Sequence, residues 1–430
     1  MAAPTASIEL NLEHQDLVFY SGDRIRGALV VHLSTAVTIA GVELRFRGAA
    51  RAKWREYVNE GARRTEIEHE KEEIYFDDRF CLWGKATTED AEPSDSDSEP
   101  CHCHTATVTD EGRWESREVL KRGRHLFPFQ YKLPEGIPCS FEGPEGSVRY
   151  TVHGLLSRTS GADMTTQRHV TVLRDLDSKR DSEKRTPSPR HALEDHAERS
   201  FSSTCCRPGR VACSLSVLKR SYVPGETIRA DVQIHNSSMR KSGVCRLQLK
   251  QLLTYGESYT QASVLQEVRL HDCIRPGQRR QWRDVTMHVP PTCPSRLSKC
   301  RVIDVRYCVA VEALFTDAVL YAAVPITIVT VPERGIIPIR WSYKECSHTQ
   351  MDRVILEGGA AQNLIDSNAD DFRPKYKYYE EVRDSRKDRF LILKLRQSPG
   401  VRRRQIMGSA EPGESRTDTT ATDTVGESQA

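Results

Sequence analysis

A chain of 430 residues has room for two or three domains of ordinary size, each able to bury a core without disulfides. Its 63 Lys and Arg against 60 Asp and Glu leave a net charge of +3, which excludes a nucleic-acid binder of the kind that needs a concentrated basic face. Thirteen cysteines, an odd number without small-scaffold spacing, exclude a secreted disulfide framework. Met1-Ala2-Ala3-Pro4-Thr5 carries no basic region leading into an apolar stretch, and no apolar run approaches the ~20 residues of a membrane span. The expectation is a chain in the reducing cytosol, with its cysteines free and mostly packed as small hydrophobes.

In chain order, period-2 alternation predicts strand after strand. Ile8-x-Leu10-x-Leu12 opens the series, and Leu29-x-Val31-x-Leu33 and Val42-x-Leu44-x-Phe46 follow the turn Ser21-Gly22-Asp23. Residues 86–111 hold Glu89, Asp90, Glu92, Asp95, Asp97, Glu99, Asp110 and Glu111 with no Lys or Arg, and read as a solvated acidic loop inserted on a sandwich edge. Val148-x-Tyr150-x-Val152 resumes the alternation. Residues 176–207 mix both charges around Thr186-Pro187-Ser188-Pro189 and read as a linker. Beyond it come Cys213-x-Leu215-x-Val217, the turn Val223-Pro224-Gly225-Glu226, Ile228-x-Ala230-x-Val232-x-Ile234, the turn Arg275-Pro276-Gly277-Gln278, and Val305-x-Tyr307-x-Val309-x-Val311. The strand pattern fades in residues 333–430, which are expected to be a largely disordered tail. Short one-sided strands between Gly and Pro turns bury themselves best as two packed antiparallel sheets, so the fold class is all-β sandwich.

The alternation occurs twice over. Gly22 and Gly225 stand 203 residues apart, and the same offset relates Ile25 to Ile228, Arg26 to Arg229, His32 to His235 and Leu44 to Leu247. Phe129-x-Tyr131-x-Leu133-Pro134 matches Val285-x-Met287-x-Val289-Pro290 at offset 156, and Val148-Arg149-Tyr150 matches Val305-Arg306-Tyr307 at offset 157. Two blocks in one order imply two copies of one sandwich, at residues 1–175 and 208–332. The fall in offset places the acidic insertion in the first copy.

No nucleophile elbow, zinc-helix motif or phosphate loop is present, so no catalytic residue, cofactor or metal is expected. Cys101-His102-Cys103-His104 is too closely spaced for an unstrained tetrahedral site, and a solvated loop is the favoured reading. Cys205-Cys206 reads as two free thiols, with acylation or oxidative pairing as the alternative. Val401-Arg402-Arg403-Arg404 reads as a solvated basic cluster. In Phe372-Arg373-Pro374-Lys375-Tyr376-Lys377-Tyr378-Tyr379 the proline favours an extended backbone, which suits recognition in a groove. Pro374, Tyr376 and Tyr379 are therefore candidate partner-docking residues, although a tail strand packed on the body accounts for them equally well.

Further residues carry a resemblance. Phe127-Pro128-Phe129-x-Tyr131-x-Leu133-Pro134, then Pro138-Cys139-Ser140-Phe141-Glu142-Gly143, resembles the signature of the arrestin domain-containing proteins, the alpha-arrestins that include thioredoxin-interacting protein. Gly22 in Tyr20-Ser21-Gly22-Asp23, Gly225 in Val223-Pro224-Gly225-Glu226, Pro290 after Val289, and Tyr307 in Val305-Arg306-Tyr307 are similar to the family's other marks. The resemblance implies two tandem arrestin-like (immunoglobulin-like) sandwiches. It also implies an adaptor, peripheral at the plasma membrane and endosomes, that links receptor or transporter tails to HECT-type ubiquitin ligases, endocytosis and sorting.

Two departures stand out. The ligase-docking Pro-Pro-x-Tyr is absent, and Arg373-Pro374-Lys375-Tyr376 lacks its first proline. Where thioredoxin-binding relatives carry a cysteine, His235-Asn236-Ser237-Ser238 has serine, which cannot form a mixed disulfide. A redox or signalling regulator acting through Cys245, near Arg240 and Lys241, and a retromer-like coat subunit remain the alternative readings.

Overall fold

In the computed structural model the described residues are 6–60, 63–83, 118–175, 193–201, 209–257, 259–271, 273–316, 318–332, 340–346 and 372–380. The acidic insert, the Cys101 and Cys205 motifs and the Val401 cluster lie outside them. The chain divides into the units Met1–Val382 and Arg383–Ala430, and every described residue belongs to the first.

Alternation becomes strand throughout. The first sandwich is built from β1 (Ala6–Leu12), β2 (Val18–Tyr20), β3 (Arg24–Leu33), β4 (Val37–Glu60), β5 (Arg63–Trp83), β6 (Glu118–Leu120), β7 (Gly123–Lys132), β8 (Phe141–Glu142), β9 (Gly146–Arg158) and β10 (Met164–Leu173). The second comprises β11 (Leu193–Phe201), β12 (Gly209–Val217), β13 (Ser221–Tyr222), β14 (Thr227–Asn236), β15 (Cys245–Tyr255), β16 (Tyr259–His271), β17 (Arg279–His288), β18 (Ile303–Phe315) and β19 (Ala318–Ile328). β20 (Arg340–Glu345) and β21 (Lys375–Glu380) close the series.

In the first sandwich the sheet β1-β3-β7 faces β2-β10-β9-β4-β5, with β6 on β4 and β8 on β9. In the second, β11-β12-β14-β17 faces β13-β19-β18-β15-β16. Pairing is antiparallel except where β2 joins β10 and β13 joins β19, both parallel. These short parallel strands occupy the same place in each copy, so the duplication extends to the topology.

The repeat also fixes local chemistry. Gly22 and Gly225 both take left-handed conformations, at φ +90° and +93°. The residue that follows each folds back over its turn: the Tyr20 amide donates to Asp23 Oδ2 at 2.7 Å, and the Val223 amide to Glu226 Oε2 at 3.1 Å. Ser140 exchanges two bonds with Val172, its amide donating to the Val172 carbonyl and its Oγ accepting the Val172 amide at 2.9 Å. Ser295 does the same with Ile328 at 2.8 Å. Fully buried Tyr150 and Tyr307 donate to the Pro138 and Cys293 carbonyls, at 2.8 and 2.7 Å. Each copy therefore ties the loop entering its long central strand to the strand beside it, through one serine and one tyrosine.

Opposite charges run down the long β4–β5 hairpin. Arg45 pairs with Asp77, Arg47 and Arg51 share Glu72, Lys53 meets Glu68 and Arg55 meets Glu66. Cross-strand pairs of this kind hold register, and charge on the outer strand discourages edge-to-edge association. A hydrogen bond from Arg45 is the main reason that the Asp77 carboxyl sits below its usual range.

Two stretches differ from their expected character. β11 falls inside the stretch read as a linker and forms an edge strand on β12. β20 and β21 form a two-stranded sheet inside the stretch read as a disordered tail.

Ser140→Ala and Ser295→Ala each orphan a buried amide, at a cost of about 1–3 kcal/mol. Chemical denaturation should give an additive loss in the double variant, because the two bonds lie in separate sandwiches.

Candidate functional site

Residues 372–380 lie across the junction of the two sandwiches. On the first sandwich, the Phe372 ring stacks on His169 with centroids 5.0 Å apart. The Lys375 amide donates to Thr171 Oγ1 at 3.2 Å, and Tyr376 Oη donates to the Ser140 carbonyl at 2.9 Å. Lys377 Nζ reaches Asp175 at 3.1 Å while lying 4.8 Å from the Tyr20 ring centroid and 5.6 Å from that of Trp341 on β20. On the second sandwich, the Tyr379 amide donates to the Pro224 carbonyl at 2.9 Å and Tyr379 Oη to the Thr330 carbonyl at 2.6 Å. Val223, Val329 and Tyr379 form an apolar cluster of their own, whereas Tyr376 belongs to the main core that runs through both sandwiches.

A clasp of this kind needs an extended segment, and Pro374 begins it by fixing its own φ and biasing Arg373 away from helix. β20 then pairs with β21 in register from Arg340 with Glu380 to Glu345 with Lys375. The aromatic spacing does the rest. Tyr376 and Tyr379 turn inward at 3% and 8% exposure, and Tyr378 packs its ring under Lys344 Nζ at 3.8 Å. Burial raises the Tyr376 hydroxyl well above its ordinary pKa, so it stays protonated and keeps donating to Ser140.

A second set of contacts joins the sandwiches elsewhere. Arg301 meets Glu73 at 2.9 Å through Nε and at 2.8 Å through its amide. Trp54 stacks between His69 and Tyr259, and the turn at Gly256 fits beneath the Trp54 ring. Gly143 allows Tyr255 Oη to approach its backbone.

The other residues singled out in the sequence have structural roles here. Phe129 packs edge-on to Phe46, and Phe127 lies beside Trp83. Pro128 stands opposite Ala28 in the β3–β7 pair. Ser21 Oγ donates to the Pro134 carbonyl, which anchors the Gly22 turn. Phe141 is buried, and Glu142 receives both Arg149 donors, at 2.6 and 2.9 Å. Pro290 is partly buried and follows Val289, whose carbonyl accepts the Gly225 amide. Pro374, Tyr376 and Tyr379 are buried together against the body instead of presented to a partner, and the Ser140 and Thr330 carbonyls accept the hydroxyls of the two tyrosines. Sequence reading missed Lys377, Tyr20, Asp175 and Thr330: Lys377 meets Tyr20 and Asp175 across more than two hundred residues, and Thr330 meets Tyr379 across 49.

No thiol in this region is primed for reaction. Cys245 is fully buried, and burial pushes its pKa up against the opposing Ser242 hydroxyl. Burial also pushes Cys139 up to about 12 and Cys346 up to about 11. A thiolate is the reactive form, so the geometry does not favour the redox reading through Cys245. Among the described residues no group of three or more His, Cys, Asp or Glu could hold a metal ion.

Two family models match the chain: the arrestin (or S-antigen) N-terminal domain over residues 7–179, and the arrestin (or S-antigen) C-terminal domain over residues 207–333. Arrestin domain-containing protein 17 of Caenorhabditis elegans is 26% identical over 334 residues, covering 76% of this chain and 70% of that protein. Arrestin domain-containing protein 4 of Mus musculus is 25% identical over 323 residues, covering 74% and 70%. Human arrestin domain-containing protein 1 is 25% identical over 222 residues, half of each chain.

Gly22→Ala and Gly225→Ala impose the same left-handed strain, about 1 kcal/mol or more. Only at Gly225 would the new Cβ also strike the Tyr379 carbonyl; at Gly22 it meets the flexible Glu135 side chain. Hydrogen exchange should therefore show residues 372–380 released in Gly225→Ala and retained in Gly22→Ala. Thiol labelling of native protein at neutral pH should leave Cys139, Cys245 and Cys293 unmodified until the chain unfolds.

Proposed function

The chain belongs to the arrestin domain-containing (alpha-arrestin) family, and on that premise we propose that it is a non-enzymatic adaptor that binds the cytoplasmic tails of membrane receptors or transporters and directs them to ubiquitination, endocytosis and endosomal sorting. The observation that carries this reading is the junction. Two sandwiches are held as one body by the clasp and by the Arg301–Glu73 contact, and they expose strand edges on both flanks. An extended tail adds to such edges through main-chain hydrogen bonds, with side-chain pockets supplying selectivity. Among the described residues no helix is long and apolar enough to cross a membrane, which accords with an adaptor that reaches its cargo from outside the bilayer.

Recruitment of a HECT-type ligase does not run through Arg373-Pro374-Lys375-Tyr376 while the clasp is closed. The WW-domain mode needs an accessible tyrosine on a polyproline segment, and Tyr376 is in the core. Ligases would be reached through residues beyond 382 or through a second adaptor.

Proximity labelling in cells tests the reading with two forms of the protein: the full chain and one ending at Val382, which keeps the clasp. Enrichment of receptors or transporters by both forms is expected. Ligase enrichment by the full chain alone would assign recruitment to residues beyond 382. If neither form enriches a membrane protein, the adaptor reading fails.

A further inference from the structure

The β4–β5 hairpin outruns the sandwich that carries it. β4 pairs with β9 only as far as Ala52 opposite Gly146, whereas its pairing with β5 continues to Glu60 opposite Arg63. Among the described residues β4 beyond Ala52 pairs with β5 alone, and a single backbone bond from the Lys53 amide to the Glu145 carbonyl marks where outside support ends. Trp54, stacked on His69, faces Tyr259 of the second sandwich. Strand alternation turns Arg55 and Tyr57 to the opposite face. A two-stranded ribbon is marginal in water, so the rungs beyond Trp54 are the part of the hairpin that opens most readily.

Tyr57 stands on that outer face at 36% exposure. Glu66 is directly opposite it, Arg55 meets Glu66 at 3.0 Å, and the Arg64 guanidinium lies 4.2 Å from its ring centroid. A phenylalanine would serve that ring contact equally well, so the hydroxyl is not there for packing. Among the described residues the Tyr57 hydroxyl makes no hydrogen bond. The hydroxyls of Tyr131, Tyr150, Tyr307, Tyr376 and Tyr379, by contrast, all donate to the body. Tyr321, at 43% exposure, lies within the β18–β19 ladder of a five-stranded sheet and cannot be drawn out without unpicking it. Tyr57 thus combines an unused hydroxyl with a backbone that can be presented in extended form.

The residues that follow supply a recognition pattern. Tyr57-Val58-Asn59 sets an asparagine two positions after the tyrosine. SH2 domains anchor a phosphotyrosine on arginine and then read the residues just beyond it. One class of these domains takes that segment in a tight turn and reads asparagine at the second position, where its side chain favours the turn.

We propose that Tyr57 is a phosphorylation site, and that phosphorylated Tyr57-Val58-Asn59 docks an SH2 domain of the asparagine-reading class. In the transfer Tyr57 Oη attacks the γ-phosphorus of ATP held by a tyrosine kinase. The bond to the β–γ bridging oxygen breaks, ADP leaves, and the hydroxyl proton passes to the kinase's base. The product carries a charge of about −1.5 to −2. It stands opposite Glu66 and beside Arg55, so it competes for the Arg55–Glu66 pair and loosens the rungs at residues 57–60. The proposal goes beyond the adaptor reading: it gives the chain an inducible partner that does not depend on what the sandwiches carry.

The full chain, phosphorylated by a recombinant tyrosine kinase with ATP, tests it. Tandem mass spectrometry should place most of the phosphotyrosine at Tyr57. Tyr57→Phe should abolish that signal without shifting thermal unfolding, since phenylalanine keeps the Arg64 contact. Fluorescence anisotropy with a labelled SH2 domain of the asparagine-reading class should show saturable binding to the phosphorylated chain, reversed by phosphatase. Asn59→Ala should leave phosphorylation intact and weaken binding about tenfold or more, which a merely structural Asn59 would not do. Full chain recovered from vanadate-treated cells should also carry phosphate at Tyr57. Phosphate confined to other tyrosines, equal SH2 binding by the unphosphorylated chain, or binding indifferent to Asn59→Ala would overturn the proposal.

Discussion

The Ser140 backbone is the point through which the molecule holds together. Its amide and hydroxyl bind Val172, locking the loop before β8 to β10, and its carbonyl receives Tyr376 from the far end of the described chain. One residue thus serves the internal order of the first sandwich and the attachment of the clasp. The second sandwich has the same serine at Ser295, bonded to Ile328, and two residues past the end of that strand the Thr330 carbonyl receives Tyr379. The clasp therefore reads the repeat: it crosses the junction by engaging, in each copy, the neighbourhood of the same repeated serine-to-strand bond. Its two tyrosines are three residues apart, which lets the segment turn one ring into each copy.

Duplication followed by divergence explains where the two copies part. Positions that tie loops to strands are kept, because an orphaned buried amide costs as much in one sandwich as in the other. The flanks are free to vary. The first copy closes its open side with aromatic rings and neutralises its long hairpin by cross-strand ion pairs. The second leaves polar groups inside its open side and cations outside it. Its other flank is treated differently again: β11 is laid along the β12 edge, and Asp195, turned inward, accepts the Ala323 amide at the otherwise free upper edge of β19. A carboxylate on the inward face of a strand is a costly choice unless a donor awaits it, and here an unpaired sheet edge supplies one.

That same carboxylate shows why part of the fold was illegible in the sequence. Alternation such as Val305-x-Tyr307-x-Val309-x-Val311 is a local signal, and the repeated Gly22 and Gly225 turns needed only comparison along the chain. β11 (Leu193–Phe201) sets Asp195 and Arg199 opposite the inward-facing Leu215 and Val211, so its polarity pattern resembles that of a solvated linker. Only the backbone of β19, more than a hundred residues away, makes those polar side chains acceptable. β20 and β21 pose the same difficulty, since each is one half of a ladder whose other half lies some thirty residues distant. The aromatic string at residues 372–379 was visible, but nothing local distinguishes a tyrosine bound for a partner's groove from one bound for its own core. The Ser140 and Thr330 carbonyls decide between them, and they belong to other strands.

Burial of Tyr376 also sets a limit on what the segment can do in trans. Removing a large aromatic side chain from a packed core costs roughly 4 kcal/mol. A partner that bound the same residues in open form would have its affinity reduced by about a thousandfold relative to the free peptide. Such a partner would find the segment only if something else opened the clasp first, and among the bonds that hold it shut is that of the Tyr376 hydroxyl to the Ser140 carbonyl, whose donor burial keeps protonated across the physiological range. Proton concentration is therefore a poor key for this lock. Mechanical separation of the two sandwiches is a better one, because Tyr376 is held by the first and Tyr379 by the second, so any change in their relative placement must break one attachment or the other.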